Sequence, residues 1–371
     1  MHAAFRAGFT RRAPRAHCFR EMGGPCSPLE RTAIEPIALE VDGGNVRGRP
    51  RCMRDDRWDA AQRRRISPQL VYDDRGEPDG VVIVDESGLA NKGTDAVGVA
   101  RQDGGTWGQG EHGPEGVLAA SASRHGEALV ATRRLRPEPW WSDADAPRRA
   151  TGQRPPALVL QTKPPGAGAL GRALAQERLL PGKDSVADGL SGHSPAVLEA
   201  VEAGRGRTSR VAMPSATRCG LQGPVMPATH ERDTGEARTA RPGAPKEGAP
   251  PTGEAIATPL PDTWWERRPV SEGTQGPVVD ACTKRQVTVG RDGLPDRAVW
   301  RIINRACGAP PSSWYDLSNA PRRARLPLFV GCSGGRWALE PWYEDANTAL
   351  GLEHDDVRQD PGWHQHMLVC L

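Results

Sequence analysis

Apolar residues in this chain fall in short runs, and most runs have the length and borders of strands. The clearest is Val81-Val82-Ile83-Val84, which follows the turn signal Asp79-Gly80 and gives way to Asp85-Glu86-Ser87-Gly88. A short, wholly apolar run with such borders predicts a central strand buried on both faces. Further strands are predicted at 96–100, 116–122 and 128–132, with the His125-Gly126 turn between the last two. Others follow at 286–289, 299–303 and 314–317. Helical spacing is visible over 168–180, where Leu170, Leu174, Leu179 and Leu180 recur. A second helix is predicted after Ser194-Pro195, a capping serine and a first-turn proline, running to Gly204. Arg336-Trp337-Ala338-Leu339-Glu340 suits a helix start, which Pro341 is expected to interrupt. Residues 219–256 are rich in Pro, Gly, Thr and Glu without periodicity, and predict an insertion or mobile linker.

Composition shifts this picture towards loops. Apolar residues make up 37% and aromatics 5%, against 43 glycines and 35 prolines. The basic residues are nearly all arginine, the lysines being Lys92, Lys163, Lys183, Lys246 and Lys284. A GC-rich coding sequence explains that bias as well as function does, and a net charge of +3 does not by itself imply nucleic acid. The basic, irregular stretch 1–65 fits either a DNA-contacting arm or helical subdomain, or a solvated, weakly folded leader. The eight cysteines show no C-x-x-C spacing, which argues against a zinc finger, a redox motif or a disulfide framework. No apolar run approaches a membrane span and the first twenty residues lack the apolar core of a secretion signal. A cytoplasmic location is expected.

Three carboxylates stand out by context. Asp85 ends the predicted central strand, at the sheet rim where ligands usually bind, while Glu86 points to the opposite side. Asp188 closes another short apolar stretch, Ser185-Val186-Ala187. Glu340 follows Arg336 by four residues, on one helical face. Carboxylates from separate elements suit hard divalent cations such as Mg²⁺. With 46 acidic residues, spacing alone does not select this triple; Asp184 and Glu344 are rivals. His364 and His366 read as a metal pair or as packing, and Trp140-Trp141 and Trp264-Trp265 as base-stacking platforms or as core.

GEPDGVVIVDESGLANKGTDAVGVARQ (76–102) resembles the first catalytic strand of DDE transposases of bacterial insertion sequences. The branch is the family numbered seven-oh-one, related to the insertion-sequence group numbered four. SASRHGEALVATRRLRPEPWWSDADAPRR (121–149), VADGLSGHSPAVLEAVEA (186–203) and RRPVSEGTQGPV (267–278) match in the same order. So do 293–321, 334–368 and the N-terminal IEPIALEVDGGNVRG (34–48). The resemblance implies an α/β fold with a ribonuclease-H-like core, a mixed sheet flanked by helices, and a β-rich insertion between the second aspartate and the glutamate. It implies that Asp85, Asp188 and Glu340 are the catalytic, metal-binding carboxylates, holding two Mg²⁺ ions for which Mn²⁺ can substitute. Arg336, Lys92 and the position of Asn347 are implied DNA contacts. The implied partners are terminal inverted repeats and target DNA, with a homodimer in the synaptic complex and a nucleoid-associated location.

The expected organisation is a basic N-terminal region at 1–75 and a first part of the core at 76–204. An insertion at 205–325 and a C-terminal part of the core at 326–371 follow, the latter expected to be truncated because relatives continue past this point. Departures from the family pattern include Ser191 in place of tyrosine, Asn347 in place of lysine, Pro341 directly after Glu340, and the altered segment 104–120. They support a second reading, a catalytically inactive, degenerate copy that at most binds DNA.

Overall fold

The computed structural model describes residues 2–6, 9, 12–24, 27, 29–41, 60–88, 98–102, 111–135, 163–177, 182, 184–187, 208–221, 250–273, 276–291, 294–308, 312–337, 339–354 and 359–370. Its strands are β1 Val81–Gly88, β2 Ala100–Gln102, β3 Glu111–Gly113, β4 Glu115–Ser123, β5 Gly126–Arg134, β6 Asp184–Ala187 and β7 Thr208–Met213. β8 Glu266–Gly273, β9 Gly276–Arg291, β10 Leu294–Ala306 and β11 Ser313–Ser318 follow. The helices are α1 His2–Phe5, α2 Arg12–Gly23, α3 Ile34–Val41, α4 Ala60–Arg75, α5 Lys163–Glu177 and α6 Gly253–Ala257. α7 Leu326–Trp337, α8 Leu339–Ala349 and α9 Asp360–Cys370 complete them. The chain divides into two units, Met1–Arg207 with Gly335–Leu371, and Thr208–Gly334.

In the first unit the strand order is β5-β4-β1-β6. β4 runs antiparallel to β1 and β5, whereas β6 joins β1 in parallel. This mixed sheet with helices against it is the arrangement expected of a ribonuclease-H-like core. Val82 and Val84 on β1 point towards α5 and pack with Val117, Ala119, Ala167, Leu170 and Leu174. The alternation of a strand therefore sends Ile83 and Asp85 to the other face. On that face Trp363 of α9 lies over Gly116, and the buried Arg134 guanidinium stacks 5.0 Å from its ring.

The second unit has the order β7-β11-β10-β9-β8. Its long strands carry many polar residues, so neither face is a simple aliphatic layer. One face packs around Cys219, Ile256, Val287, Val299, Ile303, Tyr315 and Leu317, under α6. α6 is capped by Thr252, whose hydroxyl accepts from the Ala255 N–H at 3.2 Å. The other face meets α7 through Val270, Cys282, Leu326 and Val330, and through Ile302, Ala320 and Phe329. Within this unit Arg210 and Asp316 form a buried ion pair at 2.5 Å.

Several elements differ from expectation. α5 begins at Lys163, five residues before the predicted start, because Pro164 and Pro165 fall in the first turn where a missing N–H costs nothing. Of the stretch at 96–100, Gly98 turns with φ +82° and the strand begins only at Ala100. Both described ends of the supposed linker 219–256 belong to the core. Cys219 and Ile256 are buried, and bridges join Arg218 to Thr252 and Gly220 to Thr288. The helix predicted after Ser194-Pro195 lies outside the described residues. The N-terminal stretch contains helices α1 to α3 and the start of α4, which fits the helical alternative among its readings.

Candidate active site

Asp85 lies in the second half of β1, half-buried, opposite Leu118 of β4. Its Oδ1 accepts the N–H of Glu86 at 2.9 Å, which fixes the rotation of the carboxylate. Glu86 is on the α5 side of the sheet, as the alternation requires. β6 pairs with β1 from Val81↔Asp184 to Val84↔Ala187. The last pair stands immediately before Asp85 on one strand and immediately before Asp188 on the other. Asp188 itself, like Lys92, lies outside the described residues.

The approach of the two strands is set at their start. A Cβ on Gly182 would overlap the carbonyl oxygen of Gly80, so only glycine lets the chain enter β6 this close to β1. The rival Asp184 is buried at this same starting end, opposite Val81. At about 3.3 Å per residue it is roughly 10 Å along the strand from the level of Ala187. It belongs to the far edge of the sheet from Asp85.

Glu340 and Arg336 fall in different helices, Glu340 in the first turn of α8 and Arg336 in the last turn of α7. The two residues expected on one helical face thus belong to two separate helices. Pro341 does not interrupt a helix; it occupies the first turn of α8, where its lack of an N–H is tolerated. The helix then carries Glu344, which is exposed, and Asn347. The Asn347 amide donates to Glu353 Oε1 at 2.9 Å.

The histidines of the tail take up packing roles. His366 Nε2 lies 3.2 Å from the Gly351 carbonyl and 3.6 Å from Cys370 Sγ, while His364 is 3.7 Å from Asp360 within α9. Among the described residues, no three His, Cys, Asp or Glu side chains are grouped as a metal site. None of the helices among these residues is long and apolar enough to cross a membrane.

Trp140 and Trp141 lie outside the described residues; Trp264 and Trp265 are within them. Trp264 is 47% exposed with the Arg285 guanidinium 4.4 Å from its ring, and Trp265 packs at the core margin with Arg305 at 4.2 Å. Sequence reasoning weighed the tryptophans and missed the arginines. The signal was their parity: 285 and 305 fall on strand positions that share a face.

Comparison with known proteins adds three findings. None of the curated proteins matches the chain. Among solved structures, a piggyBac transposase synaptic complex with hairpin DNA, determined by cryo-EM, aligns at 10% identity with a TM-score of 0.39. That alignment covers 98% of this chain and 66% of the transposase chain. A model of the DDE superfamily endonucleases matches residues 4–277, a span that includes Asp85 and Asp188 and ends before Glu340. The chain belongs to the DDE superfamily endonuclease family.

Proposed function

We propose that the chain is the transposase of an insertion sequence, which cuts DNA at terminal inverted repeats and joins the ends to target DNA. The observation that carries this reading is the parallel register of β1 and β6, whose last pair, Val84↔Ala187, directly precedes an aspartate on both strands. The next residue in sequence after each is an aspartate, Asp85 and Asp188, and neighbouring positions on paired strands stand about 5 Å apart, at the carboxyl end where ligands usually bind. Two carboxylates at that spacing repel one another, and a cation between them removes the repulsion. Their hard oxygen donors fit Mg²⁺, or Mn²⁺ in its place. Glu340, in the first turn of α8, completes the set by resemblance.

A pair of such ions, when bound, activates a water or a 3′-hydroxyl and stabilises the leaving oxygen. The contribution of this chain is placement. The valines of β1 anchor the strand against α5, which fixes Asp85 on the opposite face, and the Glu86 N–H holds one oxygen so that the carboxylate does not swing away. Arg336 and Lys92 are proposed to contact DNA phosphate. Asn347 is the third proposed contact, and its amide must first leave Glu353.

The test is strand nicking of a duplex carrying the element's ends, with Mg²⁺ present. Wild-type protein is expected to nick it and Asp85→Asn to fall to background. Nicking that survives this change overturns the assignment. The second reading, an inactive copy, draws on Ser191 and Asn347 at positions where the family has tyrosine and lysine. It expects salt-sensitive DNA binding without cleavage under either metal.

A further inference from the structure

The geometry points to a further DNA-contacting surface in the second unit, the turn Pro321-Arg322-Arg323-Ala324 and Arg325 just ahead of α7, built to hold the phosphate backbone of a duplex. The inference rests on the reading of the chain as a DNA transposase, and experiment separates the two.

The sequence concentrates positive charge here. Between Asp316 and Glu340 the chain carries no acidic residue, while it carries Arg322, Arg323, Arg325 and Arg336. The first three of these are exposed, and among the described residues their side chains form no ion pair or hydrogen bond. The acids on the sheet face beneath α7 are engaged elsewhere. Asp316 is bound to Arg210 and Glu266 to Arg268, each at 2.5 Å, and Asp280 is buried. The first turn of α7 holds no acidic residue either. Three like charges within four positions repel one another, with only solvent and salt to screen them. An anionic partner removes that cost.

The backbone beneath these charges is held from several sides. The Ala324 N–H donates to the Pro321 carbonyl at 2.8 Å, closing a turn whose tip is Arg322-Arg323. The Trp300 indole N–H donates to the same carbonyl at 3.1 Å, and the Lys284 ammonium donates to the Ala324 carbonyl. Lys284 is itself seated against two rings, 4.1 Å from Trp300 and 5.5 Å from Phe329. Before the turn, the Asn319 side chain accepts the Ser209 N–H at 2.7 Å, and Ala320 is buried with Ile302 and Phe329. After it, the Leu328 N–H donates to the Arg325 carbonyl at 3.1 Å. The main chain is therefore fixed while the three guanidinium groups stay in water. A loop ordered before binding loses less freedom when its partner arrives. The planar fork of a guanidinium also matches phosphate oxygens with paired donors. Phosphates recur about every 3.4 Å of axis along each strand, so arginines from neighbouring positions meet separate ones. Charge, fixed backbone and donor geometry agree on a phosphodiester backbone as the occupant.

The test is the salt dependence of binding to a random-sequence duplex by the full-length chain, measured by fluorescence anisotropy in EDTA so that cleavage plays no part. Relative to wild type, the triple variant Arg322→Gln, Arg323→Gln, Arg325→Gln is expected to lose roughly 2 to 3 from the slope of log affinity against log salt. Lysine at the same three positions keeps the charge and is expected to keep the slope. A glutamine variant with the wild-type slope, or no salt-dependent binding by wild type, overturns the inference. So does an unchanged DNA slope with loss of binding to polyglutamate, which assigns the loop to an acidic polypeptide. Should the triple variant fail to melt cooperatively, Arg322→Gln alone serves, because Arg322 is exposed at the tip of the turn. It is expected to lose roughly 1 from the slope, and an unchanged slope again overturns the inference. Slope loss in the variant, with a wild type that never nicks DNA, refutes the proposed activity alone. A wild type that nicks, with an unchanged slope in the variant, refutes this surface alone.

Discussion

The face of the first unit's sheet towards α5 is packed with small aliphatic residues, whereas the second unit's sheet buries several charged residues beside its apolar clusters. Around β1 the buried positions are Val82, Val84, Val117 and Ala119, packed against α5. In the second unit Arg210, Asp316, Arg301, Asn304 and Asp280 are all buried within or between strands. The aliphatic sheet draws its cohesion from area removed from water, which is tolerant of detail. The charged sheet depends on each group finding its partner, because a buried charge without one is costly. One unit is therefore held by packing that tolerates detail, and the other by specific pairs such as Arg210 with Asp316.

The change expected to strain this contrast most is Asp316→Ala. It leaves Arg210 buried without its partner and is expected to destabilise the second unit by about 3–5 kcal/mol. Hydrogen exchange is the suitable measurement, since two units need not unfold together. Protection should fall in β7, β10 and β11 and persist in β1 and β4; equal loss in both sets would break the contrast.

The counterpart in the first unit is Gly182→Ala. The new methyl would meet the Gly80 carbonyl, so the entry to β6 must shift, at about 1–3 kcal/mol. Nicking is expected to fall more than the melting temperature does, because the shift is delivered to the strand leading to Asp188. A variant as active as wild type would show that β6 has slack. Next in size, Thr252→Ala removes the cap of α6 and should cost about 1 kcal/mol by thermal melt. A null result there would mean that packing of Ile256 and Ala257 alone holds the helix.

The smallest effect has the opposite sign. Burial raises the carboxyl of Asp280 above its ordinary range, so the folded state favours its protonated form. Stability from that proton is complete below the unfolded pKa and is lost as pH rises through the folded one. Asp280→Asn should therefore melt higher than wild type near neutrality, with the difference closing under acid conditions. A difference independent of pH would assign the effect to packing.

How much of this was legible depended on the same chemistry. The run 81–84 located β1, but the strand continues through Asp85, Glu86 and Ser87 to Gly88, because their backbones still pair with β4. Hydrophobicity does not report backbone pairing. The loss was larger in the second unit. The stretches 286–289 and 299–303 stood for strands that run Gly276–Arg291 and Leu294–Ala306. Lys284, Arg285, Arg301, Asn304 and Arg305 break the apolar pattern, and they stay in the sheet through partners supplied by tertiary structure. Lys284, for example, donates to the Ala324 carbonyl and lies 4.1 Å from the Trp300 ring. Pro341 misled in the other direction, since a proline after a candidate residue reads as a break unless the helix start is known. The candidate site was legible at Asp85, where the buried apolar run gives way to acid. It was not at Arg336 and Glu340, whose separation into two helices has no marker in the residues themselves.

The parallel pairing of β1 with β6 also governs when the molecule becomes competent. Val81 meets Asp184, about a hundred residues later in the chain, after β4, β5 and α5 have intervened. The antiparallel meander of β1, β4 and β5 joins nearer neighbours, so its loops close at lower entropic cost and are expected to form first. During synthesis β1 leaves the ribosome with one edge unoccupied until β6 emerges. A nascent chain arrested before Gly182 would hold a folded meander and a single aspartate, with an exposed strand edge open to unwanted pairing. The order of the chain thus keeps β6, the strand that leads to the proposed second aspartate, from joining until the first unit's sheet is nearly made.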